Sequence, residues 1–86
     1  MKIVLHNRFL KQYSKLRTKD QEKFRARRDL FLTDPHNPTL NNHPLSGKYK
    51  GYCSINITGD IRVIYKLVHE NTALFVAIGS HSSLYK

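Results

Sequence analysis

The sequence predicts an α+β fold with two layers, in which an N-terminal strand and two helices precede an antiparallel meander of three strands that completes the sheet. Two observations predict it. Apolar residues recur at helical spacing between residues 7 and 33, and residues 52–79 hold β-branched runs separated by short turns. Helices grouped before a meander are typical of a helix layer on one sheet face, so we expect the opposite face to be a free, concave binding surface.

The first strand and the first helix are predicted within residues 1–17. Residues 2–6 form a short β-branched run, and Asn7 is a residue type that caps helices. Helical offsets then place four apolar residues on one stripe, namely Phe9, Leu10, Tyr13 and Leu16.

The second helix is predicted from its start and stop signals. Thr18 and Gln21 have the spacing of a capping box, in which a hydroxyl and a glutamine satisfy the first free N–H groups. The apolar side of this helix is supplied by Phe24, Leu30 and Phe31. Asp34-Pro35 ends it, because proline disfavours helical geometry in the residue before it.

The rest of the chain is predicted to be a loop followed by three strands. Residues 33–51 contain three prolines and two glycines and are typical of a loop. The apolar residues of 52–57 and 61–67 flank a Thr58-Gly59-Asp60 turn, which indicates a hairpin, and 73–78 add a third strand closed by Gly79. A chain of 86 residues has room for a single domain, 1–86, and its core must be thin.

Net charge points to a polyanionic partner. The chain carries 15 Lys and Arg against 6 Asp and Glu, a formal charge of +9. Residues 1–32 hold ten of those basic residues and three of the acidic ones, so most of the excess lies on the helices. A solvated helix face and a surface that docks on nucleic-acid phosphates both fit this distribution.

Several classes of function are not expected. Cys53 is the only cysteine, so an internal disulfide is impossible and the chain resembles an intracellular, cytoplasmic protein. The apolar runs are far shorter than the about 18 residues that span a bilayer. The sequence has neither a phosphate-binding glycine loop nor paired Cys/His spacing, so we expect no cofactor and no metal.

Two histidines stand in positions that suit proton transfer. His43 precedes Pro44 in the loop before the meander, and His81 follows the last predicted strand, four residues before Tyr85. Histidine is the usual general acid or base near neutral pH, and an arginine such as Arg62 stabilises charge on a phosphate. Such residues are also common in purely structural roles, Arg62 as a partner of Asp60 for example.

Three segments carry a resemblance to a known family. The motifs HPLSGKYKGY at 43–52, GDIRVIYK at 59–66 and GSHSSLY at 79–85 resemble the RelE/ParE toxin superfamily, and within it the YafQ-like branch of RelE-type mRNA interferases. The resemblance implies a RelE-like fold and a toxin of a bacterial type II toxin–antitoxin system. It also implies cleavage of mRNA in the ribosomal A site, without metal, by attack of the 2′-OH.

The resemblance assigns roles to residues of this chain. His81 matches the C-terminal general acid, and Tyr85 matches the terminal aromatic that orients the substrate. His43 matches a loop histidine that is a candidate base, Asp60 an acidic residue of the site and Arg62 a phosphate-contacting arginine. The remaining matches are positions that would contact RNA, namely Lys48, Lys50 and Asn56.

Two departures from the family pattern leave the general base open. Asn56 stands where YafQ-like members have a histidine, and Ile61 where they have an aromatic residue. Because an amide cannot accept the proton, the base is His43, Asp60 or another group. Two alternatives therefore stay open: a ParE-like inhibitor of DNA gyrase, and a catalytically weakened RNA-binding or co-repressor homologue.

The partners are also implied by the resemblance. They are a cognate antitoxin whose helical segment wraps the domain, mRNA and ribosomal RNA, and operator DNA only through the antitoxin. No membrane partner is expected.

Overall fold

A computed structural model describes residues 1–85 and confirms the predicted α+β fold. Within these residues five strands form one mixed sheet in the order β1-β5-β4-β3-β2. Strand β1 is parallel to β5, and the other neighbours are antiparallel. The elements are β1 (Lys2–Leu5), α1 (Asn7–Ser14), α2 (Thr18–Thr33), β2 (His43–Pro44), β3 (Cys53–Asn56), β4 (Ile61–His69), β5 (Thr72–Ser80) and α3 (His81–Leu84).

The predicted caps of the first two helices are wrong. His6, not Asn7, caps α1, because its Nδ1 accepts a hydrogen bond from the N–H of Arg8 at 3.0 Å. Arg17 occupies the cap position of α2 and contributes no side-chain cap. Gln21 does not reach back to Thr18 but donates to the Tyr13 carbonyl at 2.9 Å, which ties α2 to α1. Helix α2 ends at Thr33, before Pro35, as predicted.

The helices pack on one face of the sheet, and their aromatic residues form the core. Leu10 was predicted on the buried stripe of α1 but is 46% exposed, because it lies about 100° around the helix from Phe9. The stripe of Phe9, Tyr13 and Leu16 does face the core. Phe24 and Phe31 of α2 are buried, as predicted. Among residues 1–85 no helix is long and apolar enough to cross a membrane.

The second sheet face is only partly free, whereas the prediction left it wholly free. A smaller apolar cluster lies on it, built from Ile64, Ala77 and Leu84 with partly buried neighbours that include Tyr49 and Tyr85, and cavities remain beside that cluster. An irregularity in β5 makes this possible. Ile64 pairs with Ala77 and Tyr65 with Phe75, so Val76 is an extra residue and both Val76 and Ala77 pack on the second face.

The connection between α2 and β3 is more ordered than a loop. It contains two short 3₁₀ turns, Pro38–Leu40 and Gly47–Tyr49, and the two-residue strand β2. The last strand extends through Gly79 to Ser80 and leads directly into α3, which the sequence did not predict. Residues of both segments line the cavity described next.

Candidate catalytic cleft

A cavity of about 330 Å³ brings together four of the five predicted catalytic residues. His43 comes from β2, Arg62 from β4 and His81 from the start of α3, and Tyr85 directly follows that helix. The remaining lining residues are Asn41, Leu45 and Ser54. We call this cavity the cleft.

His43 is held in one tautomer by its neighbourhood. Its Nδ1 lies 2.7 Å from the carbonyl oxygen of Asn41. A carbonyl only accepts hydrogen bonds, so Nδ1 carries the proton, and the neutral ring keeps a lone pair on Nε2. The Asn41 backbone is left-handed, with φ 45°, a conformation that asparagine tolerates better than most residues. His43 therefore presents a proton acceptor at Nε2.

The segment that carries His43 is braced by a buried tyrosine. The hydroxyl of Tyr65 donates to Asn42 Oδ1 at 2.8 Å. Burial raises the pKa of Tyr65 from 10.0 to about 12, so its phenol stays protonated and remains a donor. This bond joins β4 to the residue between Asn41 and His43.

His81 is positioned by backbone hydrogen bonds and by a ring contact. Its N–H donates to the carbonyl of Asp60 at 3.0 Å, and Ser80 Oγ caps the short helix by accepting from the N–H of Ser83 at 3.1 Å. The His81 and Tyr85 rings lie 4.8 Å apart between centroids. Tyr85 packs edge-on against Tyr49 at 5.9 Å. The imidazole is exposed to solvent and lies beside the ring of Tyr85, which in turn packs against that of Tyr49.

Arg62 lies over the hairpin turn rather than in an ion pair. Its Nη1 lies 3.1 Å from the carbonyls of both Thr58 and Gly59 and donates to them. Within residues 1–85 neither Arg62 nor Asp60 forms a salt bridge. The guanidinium is thus anchored at one nitrogen while the side chain lines the cleft.

Four of the predicted site residues do not line the cleft. Asp60 contributes its backbone, through the bond to His81. Asn56 pairs across the sheet with Arg62 but lines a neighbouring hollow, and its buried Oδ1 has no hydrogen-bond partner within residues 1–85. Lys48 lines a third hollow with its Nζ 5.3 Å from the Tyr49 ring centroid, and Lys50 is exposed beside it.

Sequence reasoning missed Asn41 and Ser54. Asn41 belongs to an Asn-Asn-His-Pro run, which signals a left-handed turn residue, so its backbone role was detectable. Ser54 is 1% exposed, pairs with His43 across the sheet, and its Oγ has no partner within residues 1–85. Nothing in the pattern of β3 marks this serine, because small residues are common inside strands. Residues 1–85 contain no group of three or more His, Cys, Asp or Glu side chains placed to hold a metal ion.

Comparison with known proteins gives the family. The family described as "Bacterial toxin of type II toxin-antitoxin system, YafQ" matches residues 1–86. The chain belongs to the YafQ toxin family. This match confirms the resemblance to the RelE superfamily and its YafQ-like branch that the motifs indicated. No curated protein sequence matches the chain.

Solved structures agree with this assignment. The YafQ toxin in the Escherichia coli DinJ–YafQ complex is 28% identical with a TM-score of 0.80, and the match covers 98% of this chain and 97% of that one. A copper-bound mutant toxin from Helicobacter pylori is 27% identical with a TM-score of 0.80, and 99% of each chain is covered. A YoeB/ParE toxin from Agrobacterium tumefaciens shares the fold at 21% identity, with a TM-score of 0.77 over 94% of this chain and 99% of that one.

Proposed function

We propose that this YafQ-family toxin is a ribosome-dependent endoribonuclease that cuts mRNA by attack of a 2′-OH on the adjacent phosphate. One observation carries the proposal: His43, with its acceptor Nε2, lines the same cleft as His81 and Arg62. A base, an acid and a cation around one cavity are the groups that this reaction requires.

The proposed reaction uses one histidine as base and the other as acid. His43 Nε2 takes the proton of the 2′-OH, and the 2′-oxygen forms a bond to phosphorus. The bond from phosphorus to the 5′-oxygen breaks, and His81 in its protonated form supplies the proton to that oxygen. The products are a 2′,3′-cyclic phosphate and a 5′-OH. Arg62 stabilises the charge that builds on the phosphate, and Tyr85 supports the His81 ring and offers a stacking surface.

One observation favours a second candidate, a catalytically weakened RNA-binding or co-repressor homologue. Asn56 cannot accept a proton, and it pairs across the sheet with Arg62, which lines the cleft. A gyrase inhibitor of the ParE type has less support, because binding to gyrase gives no role to two histidines around one cavity. Measurements of mRNA cleavage together with a supercoiling assay separate all three.

The proposed partners follow from family and charge. The E. coli structure is that of a DinJ–YafQ complex. We propose a cognate antitoxin for this chain, with operator DNA reached only through it. The excess of ten basic over three acidic residues in residues 1–32 fits docking on ribosomal RNA or on an acidic antitoxin. Because translating ribosomes are the proposed target, we also propose that the toxin acts in the cytoplasm.

The decisive experiment is induction of the toxin followed by primer extension on cellular mRNA, with translation running or blocked. We expect cuts only during translation, and their loss in His81→Ala, His43→Gln and Arg62→Ala. The matched control is His36→Ala, which removes an exposed histidine outside the cleft and should cut normally. Full cleavage by His81→Ala contradicts the mechanism, and inhibited supercoiling without mRNA cuts favours the gyrase alternative.

A further inference from the structure

The third hollow, which Lys48 lines, lies on the same sheet face as the small apolar cluster and has the chemistry of a nucleotide site. Its cavity volume is about 370 Å³. The floor is apolar, formed by Leu74 and Val76 of β5. The rest of the lining is aromatic or basic, namely His6, Arg8, Lys48, Tyr49 and Tyr52, and no carboxylate belongs to the lining in the part of the chain that the structure describes. We call it the β5 hollow.

A row of rings connects the cleft with the β5 hollow. His81 lies 4.8 Å from Tyr85, Tyr85 lies 5.9 Å from Tyr49, and Tyr49 lies 6.0 Å from Tyr52, all between ring centroids. The first two rings line the cleft, and the last two line the β5 hollow. The row therefore runs without a break from one site to the other.

Side chains that donate hydrogen bonds, one cationic and one neutral, lie near the Tyr52 end of this row of rings. The Nζ of Lys66 lies 5.4 Å from the centroid of Tyr52. His6 accepts from the N–H of Arg8 at Nδ1, so its neutral ring carries the proton on Nε2 and is a donor there, the tautomer opposite to that of His43. Aromatic faces interleaved with cations and donors bind single-stranded nucleic acid, because bases stack on the rings while phosphates meet the charges.

We propose that the β5 hollow is a second RNA subsite, which holds a nucleotide flanking the scissile bond by stacking on Tyr52. Phosphate contacts come from Arg8, which lines the hollow, and from Lys66, which lies beside Tyr52. The inference rests on the proposed function, since it concerns the same RNA strand. Charge complementarity and the continuous ring row select RNA as the occupant. A protein helix would instead require a largely apolar groove, whereas here only the floor is apolar.

The test is RNA binding measured by fluorescence anisotropy, with 2′-O-methyl strands of about three and about eight nucleotides. These strands have no 2′-OH, so the proposed reaction cannot cut them. We expect the longer strand to bind about fivefold to a hundredfold more tightly, the range that stacking of one base gives. Tyr52→Leu and Arg8→Ala should lose that gain.

Two variants serve as matched controls. Tyr52→Phe keeps the ring, and Lys19→Ala removes one exposed positive charge of α2 outside the hollow, so both should keep the gain. The subsite is overturned if the two strands bind with equal affinity or if no binding is measurable. It is also overturned if Lys19→Ala loses as much of the affinity gain as Tyr52→Leu and Arg8→Ala do. Weakened antitoxin binding by Tyr52→Leu with unchanged RNA affinity also overturns it and assigns the hollow to a protein. Cutting of the 2′-O-methyl strand would instead contradict the proposed reaction and leave the binding result intact.

Discussion

The N–H of His81 donates to the carbonyl oxygen of Asp60 at 3.0 Å, so the hairpin turn between β3 and β4 fixes the start of α3. The turn is itself braced. Thr58 Oγ1 accepts from the N–H groups of Asp60 and Ile61, and Arg62 Nη1 donates to the carbonyls of Thr58 and Gly59. Asp60 thus positions the proposed acid through its backbone, while its carboxylate does not line the cleft.

The first prediction separates the two candidate bases. Asp60→Asn keeps the backbone bond to His81, so we expect mRNA cleavage within about threefold of the parent toxin. His43→Gln removes the acceptor Nε2 and should lower the cleavage rate about 10²- to 10⁴-fold, the usual contribution of a general base. Single-turnover cleavage rates check both. A large loss in Asp60→Asn beside a small one in His43→Gln would reverse the assignment.

The second prediction concerns the close approach of α3 to β5. A Cβ on Gly79 would lie 2.9 Å from Ser83 Oγ, a hydroxyl that also donates to the Ser80 carbonyl at 3.0 Å. Gly79→Ala should therefore displace α3 and lower cleavage about tenfold or more, while thermal unfolding remains cooperative. Adding Ser83→Ala removes the clashing atom and should restore much of the rate. No rescue in the double variant would show that the loss has another cause.

The third prediction tests the backbone that orients His43. Asn41 has φ 45°, and a β-branched residue there costs about 1–3 kcal/mol. Asn41→Gly accepts this conformation and should retain most activity, whereas Asn41→Val should turn the carbonyl away from Nδ1 and lower the rate about tenfold. The pH–rate profile is the second readout, since loss of the tautomer alters its shape. Identical profiles and rates for the two variants would exclude this role.

Local chemistry in the sequence explains what could and could not be predicted. Strands β1, β3, β4 and β5, the core of α2 and its end before Pro35 follow from periodicity and from proline geometry. The predicted N-cap of α1 was wrong because neighbouring residues can both act as caps. His6 takes the position instead of Asn7, since its ring nitrogen accepts the hydrogen bond from Arg8. Helix α3 was missed because HSSL is too short to show a period, although it carries His81. The motifs located the cleft, but Ser54 faces it only because of its register opposite His43.

The fourth prediction concerns that serine. Ser54 Oγ is buried with no partner within residues 1–85, and such a hydroxyl costs about 1–3 kcal/mol. Ser54→Ala should raise the free energy of unfolding by about 1 kcal/mol. It should leave cleavage within about twofold of the parent toxin, because the hydroxyl is buried and does not reach RNA in the cleft. Urea unfolding and cleavage rates measure the two effects, and a destabilised variant with reduced cleavage would contradict both.

The last prediction uses the buried phenol that braces the His43 segment. Tyr65 is 4% exposed, and burial raises its pKa from 10.0 to about 12. Between those values the unfolded chain releases the phenol proton and the folded chain keeps it, so rising pH favours unfolding and removes about 2–3 kcal/mol of stability. Tyr65→Phe should be less stable at pH 8 by about 1 kcal/mol, because the bond to Asn42 is lost, yet it should lose much less stability between pH 10 and 12. Tyr13→Phe keeps Tyr65 and should show the full alkaline loss. Equal alkaline losses in the two variants, measured by urea unfolding, would show that Tyr65 is not the titrating group.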